Sequence, residues 1–310
     1  MSESIENLSK TKTLNSDITL KVIPLVLLVA LLWGGNAVAM KVALKYMPPF
    51  ILAGIRFGIG AIIIWLWAHF RKIDISIKKQ DIIGLIILSL MFSAQICTFN
   101  LGTKYTTAGR SSVLINVNPF FIAILAHFFI PGDRLSLRKI IGLILAFAGI
   151  FVVFRDKIDT KESHILGDVI MLISGFLFSV LTIYTKKLIQ KMGVYKILFG
   201  EMVFGLIPFV ALNIIFERSA QYIFSGELII ALIYQGCIVA SIAFIVWTTL
   251  LQRYIASKIS AFLFATPLFG VGLSALILHE TITPYLVIGS LLVATGIYVV
   301  NKCPNGYKVC

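Results

Sequence analysis

Charged residues are scarce in this chain, making up 13% of it, whereas soluble domains carry about a quarter. Acidic residues are the scarcest, with 14 Asp and Glu against 27 Lys and Arg. A water-soluble fold could not bury an apolar fraction of 59%, so lipid must solvate most of this surface. The shortage of charge therefore excludes an ordinary soluble enzyme and indicates an all-α integral membrane protein.

Several motifs of chemistry are also missing. No glycine-rich phosphate loop ends in a lysine, so ATP is not the driver within this chain. Neither an H-E-x-x-H motif nor a G-x-S-x-G elbow occurs, and His279-Glu280 stands alone near a helix end. The four cysteines show no metal-ligand spacing. We therefore expect no enzymatic activity, no cofactor and no metal site.

The formal net charge of +13 could suggest a nucleic-acid partner, but its distribution argues against one. The basic residues lie in short loops between apolar runs, which is an orientation pattern of membrane proteins. With a cytoplasmic N-terminus, the inner loops hold more than twice as many Lys and Arg as the outer loops. This predicts a multi-pass protein of the plasma membrane with both termini in the cytoplasm.

Ten apolar runs approach the roughly 20 residues that a spanning helix needs. They lie at 22–44, 49–69, 81–101, 108–130, 136–155, 167–188, 195–216, 228–251, 257–279 and 284–301. The predicted organisation is an N-terminal tail (1–21), a first five-helix repeat (22–155), a linker (156–166), a second five-helix repeat (167–301) and a C-terminal tail (302–310).

The two halves resemble each other. Residues 142–153 read GLILAFAGIFVV and residues 289–300 read GSLLVATGIYVV, while Pro119 in NVNPFF matches Pro267 in FATPLF. Because five spans is an odd number, the second repeat enters the membrane upside down. Inverted repeats create a site near the midplane and permit alternating access. Small residues in the last helix of each half predict close packing there or a homodimer surface.

At these residues the chain resembles the drug/metabolite transporter superfamily, and specifically its EamA-like branch. The matching segments are WGGNAVAMK (33–41), PPFILAGIRF (48–57), KYTTAG (104–109) and YIASKISAFLFATP (254–267). The resemblance implies two five-helix units around a central cavity that moves amino acids, other small metabolites or drugs, commonly outward. Two departures are ISGFLFS (173–179), where a second Trp-Gly opening would stand, and Glu201.

Arg56 and Glu201 are lone charges at matching places in the two halves, each within an apolar run. Such charges persist mainly where they line a protein interior or a wet pathway. Their predicted depths differ too much for a direct salt bridge. Arg56 either joins helices or meets an anionic substrate group, and Glu201 is a candidate proton site. The alternative for each is a structural pairing near a helix end.

Helix breakers suggest hinges in three spans. Gly34 and Gly35 loosen the first span, and Pro119 and Pro267 each remove one backbone donor from their helices. Interrupted helices mark binding sites in many transporters. The competing explanation is packing at tight crossings for the glycines and static kinks for the prolines.

Polar and amphipathic residues at membrane depth are the candidates for the substrate cavity, although hydrogen bonds between helices would explain them equally well. They are Trp33, Asn36, Arg56, Gln95, Asn116, Asn118, Tyr184, Gln235, Trp247 and Thr266. The sequence thus predicts a secondary-active exporter of small organic metabolites such as amino acids, with small molecules and membrane lipid as partners. A lipid flippase is the main alternative, and an intramembrane enzyme is a weaker one.

Overall fold

A computed structural model describes residues 22–130, 137–155, 164–260, 263 and 265–301, and every regular element within them is helical. The two predicted tails, and residues 156–163 of the predicted linker, lie outside the described residues. The all-helical expectation is therefore confirmed for the part of the chain that the structure covers.

The helices follow the apolar runs. In the first half they are α1 (Ile23–Ala43), α2 (Pro49–Phe70), α3 (Lys79–Tyr105), α4 (Ala108–Ile115), α5 (Asn118–Phe129) and α6 (Leu137–Arg155). In the second half they are α7 (Ile165–Met192), α8 (Val194–Phe216), α9 (Gly226–Ile233), a π-helix π1 (Tyr234–Ala243), α10 (Phe244–Arg253), α11 (Ala256–Ser260), α12 (Ala265–Leu278) and α13 (Pro284–Asn301).

Seven helical segments are long and apolar enough to cross a membrane: Ile23–Ala43, Pro49–Phe70, Lys79–Tyr105, Ala108–Phe129, Ile165–Met192, Val194–Phe216 and Gly226–Arg253. Three shorter apolar helices follow the same pattern: Ile140–Val153, Ala265–Leu278 and Pro284–Gly296. The expected span 257–279 overlaps two of the described helices, α11 and α12. The count of ten spans stays a prediction.

Two carboxylates from distant segments hold the starts of helices. Glu217 accepts hydrogen bonds from the backbone N–H groups of Phe50 (2.8 Å) and Ile51 (3.0 Å) in α2. Glu280 accepts from the N–H groups of Ala108 (2.8 Å) and Gly109 (2.9 Å) in α4. The first N–H groups of a helix lack intrahelical partners and carry partial positive charge, so both carboxylates stabilise these ends.

Two lysines hold the ends of helices in an equivalent way. Lys41 in α1 donates hydrogen bonds to carbonyls at the end of α3, and Lys186 in α7 donates to carbonyls at the end of α10. Terminal carbonyls attract cations because they carry partial negative charge. Equal sequence intervals relate the accepting residues of the two halves, Thr103 to Leu251 and Thr106 to Tyr254.

Packing between the halves is reciprocal. Helix α3 of the first half packs against α7 and α8, while π1 of the second half packs against α1 and α2. Helices α2 and α8 pack against each other, as do α6 and α13. At the α6–α13 crossing, a Cβ atom added to Gly149 would lie 2.7 Å from the carbonyl oxygen of Gly289. Only glycine fits this crossing, which is the close packing that small residues permit in membranes.

Candidate functional site

The fourth predicted span is interrupted just before its proline. Helix α4 ends at Ile115 and α5 begins at Asn118, with Pro119 as its second residue. The Ile115 carbonyl would normally bond the N–H that Pro119 lacks. It accepts instead from Nδ2 of Asn118, at 2.9 Å. Nδ2 of Asn116 donates to the Ser112 carbonyl at 2.7 Å. Side chains at the break thus satisfy backbone groups that lipid could not.

The matching proline lies opposite this break. Helix α12 begins at Ala265 with Pro267 as its third residue, and the neighbouring Thr266 carbonyl accepts from Oγ of Ser112 at 3.2 Å. This bond joins the two proline-containing segments across the interface between the halves. Movement of Pro119 and Pro267 as hinges remains a prediction.

The first helix is continuous through its two glycines. Helix α1 includes Gly34 and Gly35 without interruption, and a Cβ atom on Gly34 would lie 2.9 Å from the Gly270 nitrogen in α12. A Cβ atom on Gly35 would lie 2.6 Å from Oη of Tyr234. Both glycines therefore serve a close approach to other helices in this conformation. The structure favours the packing explanation for them, and a hinge role stays a prediction.

Seven of the ten predicted cavity residues line one cavity between the halves: Trp33, Asn36, Arg56, Gln95, Asn116, Asn118 and Thr266. Apolar and aromatic side chains complete the wall: Ile96, Phe99, Ile115, Phe178, Val239 and Phe244. The cavity measures about 70 Å³, which is enough for a few water molecules. Pockets for drug-sized ligands typically measure about 300–1,000 Å³, so a larger metabolite requires the cavity to widen.

Arg56 is the charged group of this wall. Its Nη1 donates to Oδ1 of Asn36 at 3.4 Å and to Oε1 of Gln235 at 3.2 Å, and its guanidinium lies 4.4 Å from the Phe57 ring centroid. Gln235 belongs to the π-helix π1, an element that is rare and often found at functional sites. The two partners are neutral amides, so they satisfy donors of Arg56 without neutralising its charge.

Trp33 anchors an aromatic cluster on another wall. Its ring centroid lies 5.6 Å from that of Phe178, 6.1 Å from Phe244 and 5.2 Å from Trp247. Trp247 thus supports the wall from behind, since it is not among the cavity-lining residues. The sequence did not predict Phe178 as a cavity residue. It is nevertheless the counterpart of Trp33 in the second half, because the interval from Trp33 to Phe178 equals that from Arg56 to Glu201.

The remaining predicted residues lie elsewhere. Gln235 stands behind Arg56, and Oη of Tyr184 donates to the Gly84 carbonyl at 3.4 Å, away from the cavity. Glu201 is buried in α8, where its neighbours Leu198 and Met202 belong to an apolar cluster. It makes no hydrogen bond or ion pair with another described residue.

A second, larger space of about 530 Å³ forms a groove that the sequence did not predict. Its walls come from α1, α9, π1 and α12, and most of its lining side chains are apolar, with Lys45 and Glu227 among them. Tyr234 lies between groove and protein interior, where its Oη donates to the Leu32 carbonyl at 2.8 Å. We call this space the lateral groove.

Comparison with known proteins gives a consistent result. A probable amino-acid metabolite efflux pump of Escherichia coli (strain K12) is 29% identical over 89% of this chain and 93% of its own length. An uncharacterized transporter of Bacillus subtilis (strain 168) is 25% identical over 87% of this chain and 93% of its own. One solved crystal structure shares the fold, with a TM-score of 0.71, 18% identity, and coverage of 90% of this chain and 97% of that one.

The profile of the EamA-like transporter family matches the chain twice, at residues 20–155 and 165–302. These two matches cover almost the whole of the described structure, one in each half. The resemblance found in the sequence is confirmed, and the family and these two relatives are described as transporters or efflux pumps. The chain belongs to the EamA-like transporter family.

Proposed function

We propose that this protein is a secondary-active exporter of small organic metabolites such as amino acids or related compounds. Substrate occupies the central cavity, which opens to one side of the membrane at a time as two inverted five-helix repeats move against each other. The observation that carries the proposal is the cavity itself, where polar groups of α1, α2, α3 and the two proline segments converge between the halves.

The reciprocal packing supports the inverted arrangement. Each half supplies a helix that packs against the first two helices of the other half, and each half has a lysine that holds a helix end. Alternating access requires two structures of nearly equal stability, and related halves with equivalent contacts supply them. The seven long spans and three shorter apolar helices together supply the ten crossings of this proposal.

The substrate class rests on two supports. A relative in Escherichia coli is described as a probable amino-acid metabolite efflux pump. The cavity combines one cation, several amides and an aromatic wall, which suits a small molecule with one polar end and one apolar end. Glu201 is the proposed proton site of the transport cycle, and the plasma membrane with both termini cytoplasmic is the proposed location.

One observation favours the alternative of a lipid flippase. The lining of the lateral groove is mostly apolar and includes Lys45 and Glu227, so the groove could hold an acyl chain and a zwitterionic headgroup. The groove is nevertheless separate from the polar cavity, and the cavity offers too little space for a lipid in this conformation. We therefore keep the metabolite carrier as the main proposal.

Counterflow into proteoliposomes tests the choice. Purified protein is reconstituted with an unlabelled amino acid inside, and entry of the labelled amino acid is followed. The proposal predicts saturable entry that depends on the internal substrate. Movement of a labelled phospholipid between leaflets without amino-acid counterflow would instead identify a flippase.

A further inference from the structure

The cavity wall is electrically unbalanced. Arg56 is 3% exposed and is the charged residue among the described residues that line the cavity, where no aspartate or glutamate accompanies it. A buried charge is costly unless an opposite charge or enough hydrogen bonds compensate it. Two neutral amide oxygens at 3.2 and 3.4 Å compensate Arg56 in part. The site therefore attracts an anion of matching size.

Arg56, its partner Gln235 and two other residues of the cavity wall have polar atoms without a hydrogen-bond partner. Nε of Arg56 and Nε2 of Gln235 are buried donors without a hydrogen-bond partner, and Oγ1 of Thr266 is a buried hydroxyl without one. Oδ1 of Asn118, which is an acceptor, is also without a partner. Buried polar atoms in native proteins are nearly always paired, and exceptions call for a ligand or water.

We propose that Arg56 binds the carboxylate of the transported molecule, which makes this carrier selective for monocarboxylates over amines. The inference rests on the proposed function and specifies its substrate class. A guanidinium presents its N–H donors in a planar fork that matches a carboxylate, and Gln235 behind it holds Nη1 in place through its Oε1 atom.

The same wall defines what else the substrate carries. One carboxylate neutralises the single cation, whereas a doubly charged phosphate would leave a buried negative charge. An α-ammonium group meets a weaker site, made of Oδ1 of Asn118 and the face of the Trp33 ring. The geometry therefore tolerates an ammonium group and requires a carboxylate, so deaminated acids bind as amino acids do.

Three small molecules that share an isobutyl unit separate these requirements. They are valine, 3-methylbutanoate, which lacks the ammonium group, and isobutylamine, which lacks the carboxylate. Each competes against counterflow of labelled valine in proteoliposomes. We expect valine and 3-methylbutanoate to compete and isobutylamine to be weaker by about ten- to hundredfold, as expected for the loss of a charge-assisted hydrogen bond. Equal competition by the amine would overturn the proposal.

Substitutions test whether Arg56 causes the preference for carboxylates over the amine. Arg56→Gln should reduce competition by both acids and bring them level with the amine, while Arg56→Lys should retain part of the preference. Lys45→Gln, on the lateral groove, is the matched control and should change nothing. An Arg56→Gln variant that loses transport capacity but keeps the acid-to-amine ratio would also overturn the proposal.

Direct binding separates this inference from the proposed function. The thermal unfolding of purified wild-type protein and both Arg56 variants is measured with each of the three molecules, which also establishes that the variants fold. If 3-methylbutanoate raises the melting temperature of wild type but not of Arg56→Gln, the inference is supported. If counterflow is absent in the same preparation, that absence counts only against the proposed carrier function. Counterflow of valine without any Arg56-dependent shift would count against the inference alone.

Discussion

The two halves of the molecule use Lys41 and Lys186 in the same way, but they place Arg56 and Glu201 in different surroundings. The same sequence interval relates the members of both pairs. Each lysine bonds the terminal carbonyls of a helix within its own half. Arg56 faces two amides and a cavity, whereas Glu201 lies in an apolar part of α8. The shared positions thus hold helix ends in both halves, whereas the divergent positions differ in their surroundings, and our proposal assigns the transport function to them.

The difference also has a cause in the neighbouring residues. Asn36, which faces Arg56, corresponds by the same interval to Leu181, which belongs to the apolar cluster around α8. One half therefore provides hydrogen bonds to a buried charge, while the other provides none. The two halves can therefore share packing contacts while only one of them supplies polar partners for a buried charge.

The largest effect should come from removing either lysine. Lys41→Met and Lys186→Met each leave partly buried terminal carbonyls without their donor, at a cost of about 2–3 kcal/mol in the free energy of unfolding. Denaturation in mild detergent measures both variants against Lys187→Met, which changes an exposed neighbour. If only one of the two variants lost stability, the two lysines would not be equivalent.

The glycines of the α6–α13 crossing should give the next largest effect. A Cβ atom on Gly149 or Gly289 would overlap the facing helix, so either alanine variant should lose about 1–3 kcal/mol of stability. Gly272→Ala is the control, because nothing lies within 4 Å of its added Cβ. Equal melting temperatures for Gly149→Ala and Gly272→Ala would argue against this crossing.

Leucine at the two charged positions should change the free energy of unfolding in opposite directions. Arg56→Leu leaves the oxygens of Asn36 and Gln235 without their donor and should cost about 1–3 kcal/mol. Glu201→Leu replaces a carboxyl without described partners by an apolar group and should stabilise the protein by about 1 kcal/mol. Thermal melts of both variants test the contrast, and destabilisation by Glu201→Leu would reveal an unseen partner.

The smallest effect concerns the pH profile of transport. If Glu201 carries the coupled proton, Glu201→Gln should transport substrate by counterflow yet lose the pH dependence of net export. Export is measured over a pH series, with Asp74→Asn as a control for an exposed carboxylate. An unchanged profile in Glu201→Gln would remove Glu201 from the proton pathway.

Much of the fold could be predicted because lipid imposes long apolar helices, and nothing else in the chain competes with that pattern. Polarity at membrane depth also served to predict cavity-lining residues such as Asn116 and Thr266, since polar groups need partners that lipid lacks. The apolar wall was not predictable, because Ile96 and Phe99 look like any other core residue. Tyr184 was predicted for the cavity on the same polar criterion, but helix rotation turns it towards Gly84.

Contacts between distant segments were beyond sequence reasoning. Glu280 looked like part of a lone His-Glu pair, and only the fold brings it to the start of α4. The same holds for Glu217 at α2 and for the lysines at helix ends. The π-helix π1 depends on a shift of backbone hydrogen bonds that side-chain pattern does not reveal.

Labelling of a single cavity cysteine tests the central claim of alternating access most directly. Ile96→Cys, in a background without the native cysteines, places a thiol in the cavity wall, and Ile87→Cys on the exposed side of α3 is the control. A membrane-impermeant thiol reagent is applied to right-side-out or inside-out vesicles. The account predicts that position 96 reacts from both sides, with saturating substrate changing the ratio of the two rates, while position 87 stays unlabelled. Labelling of position 96 from one side only, whatever the substrate, would contradict it.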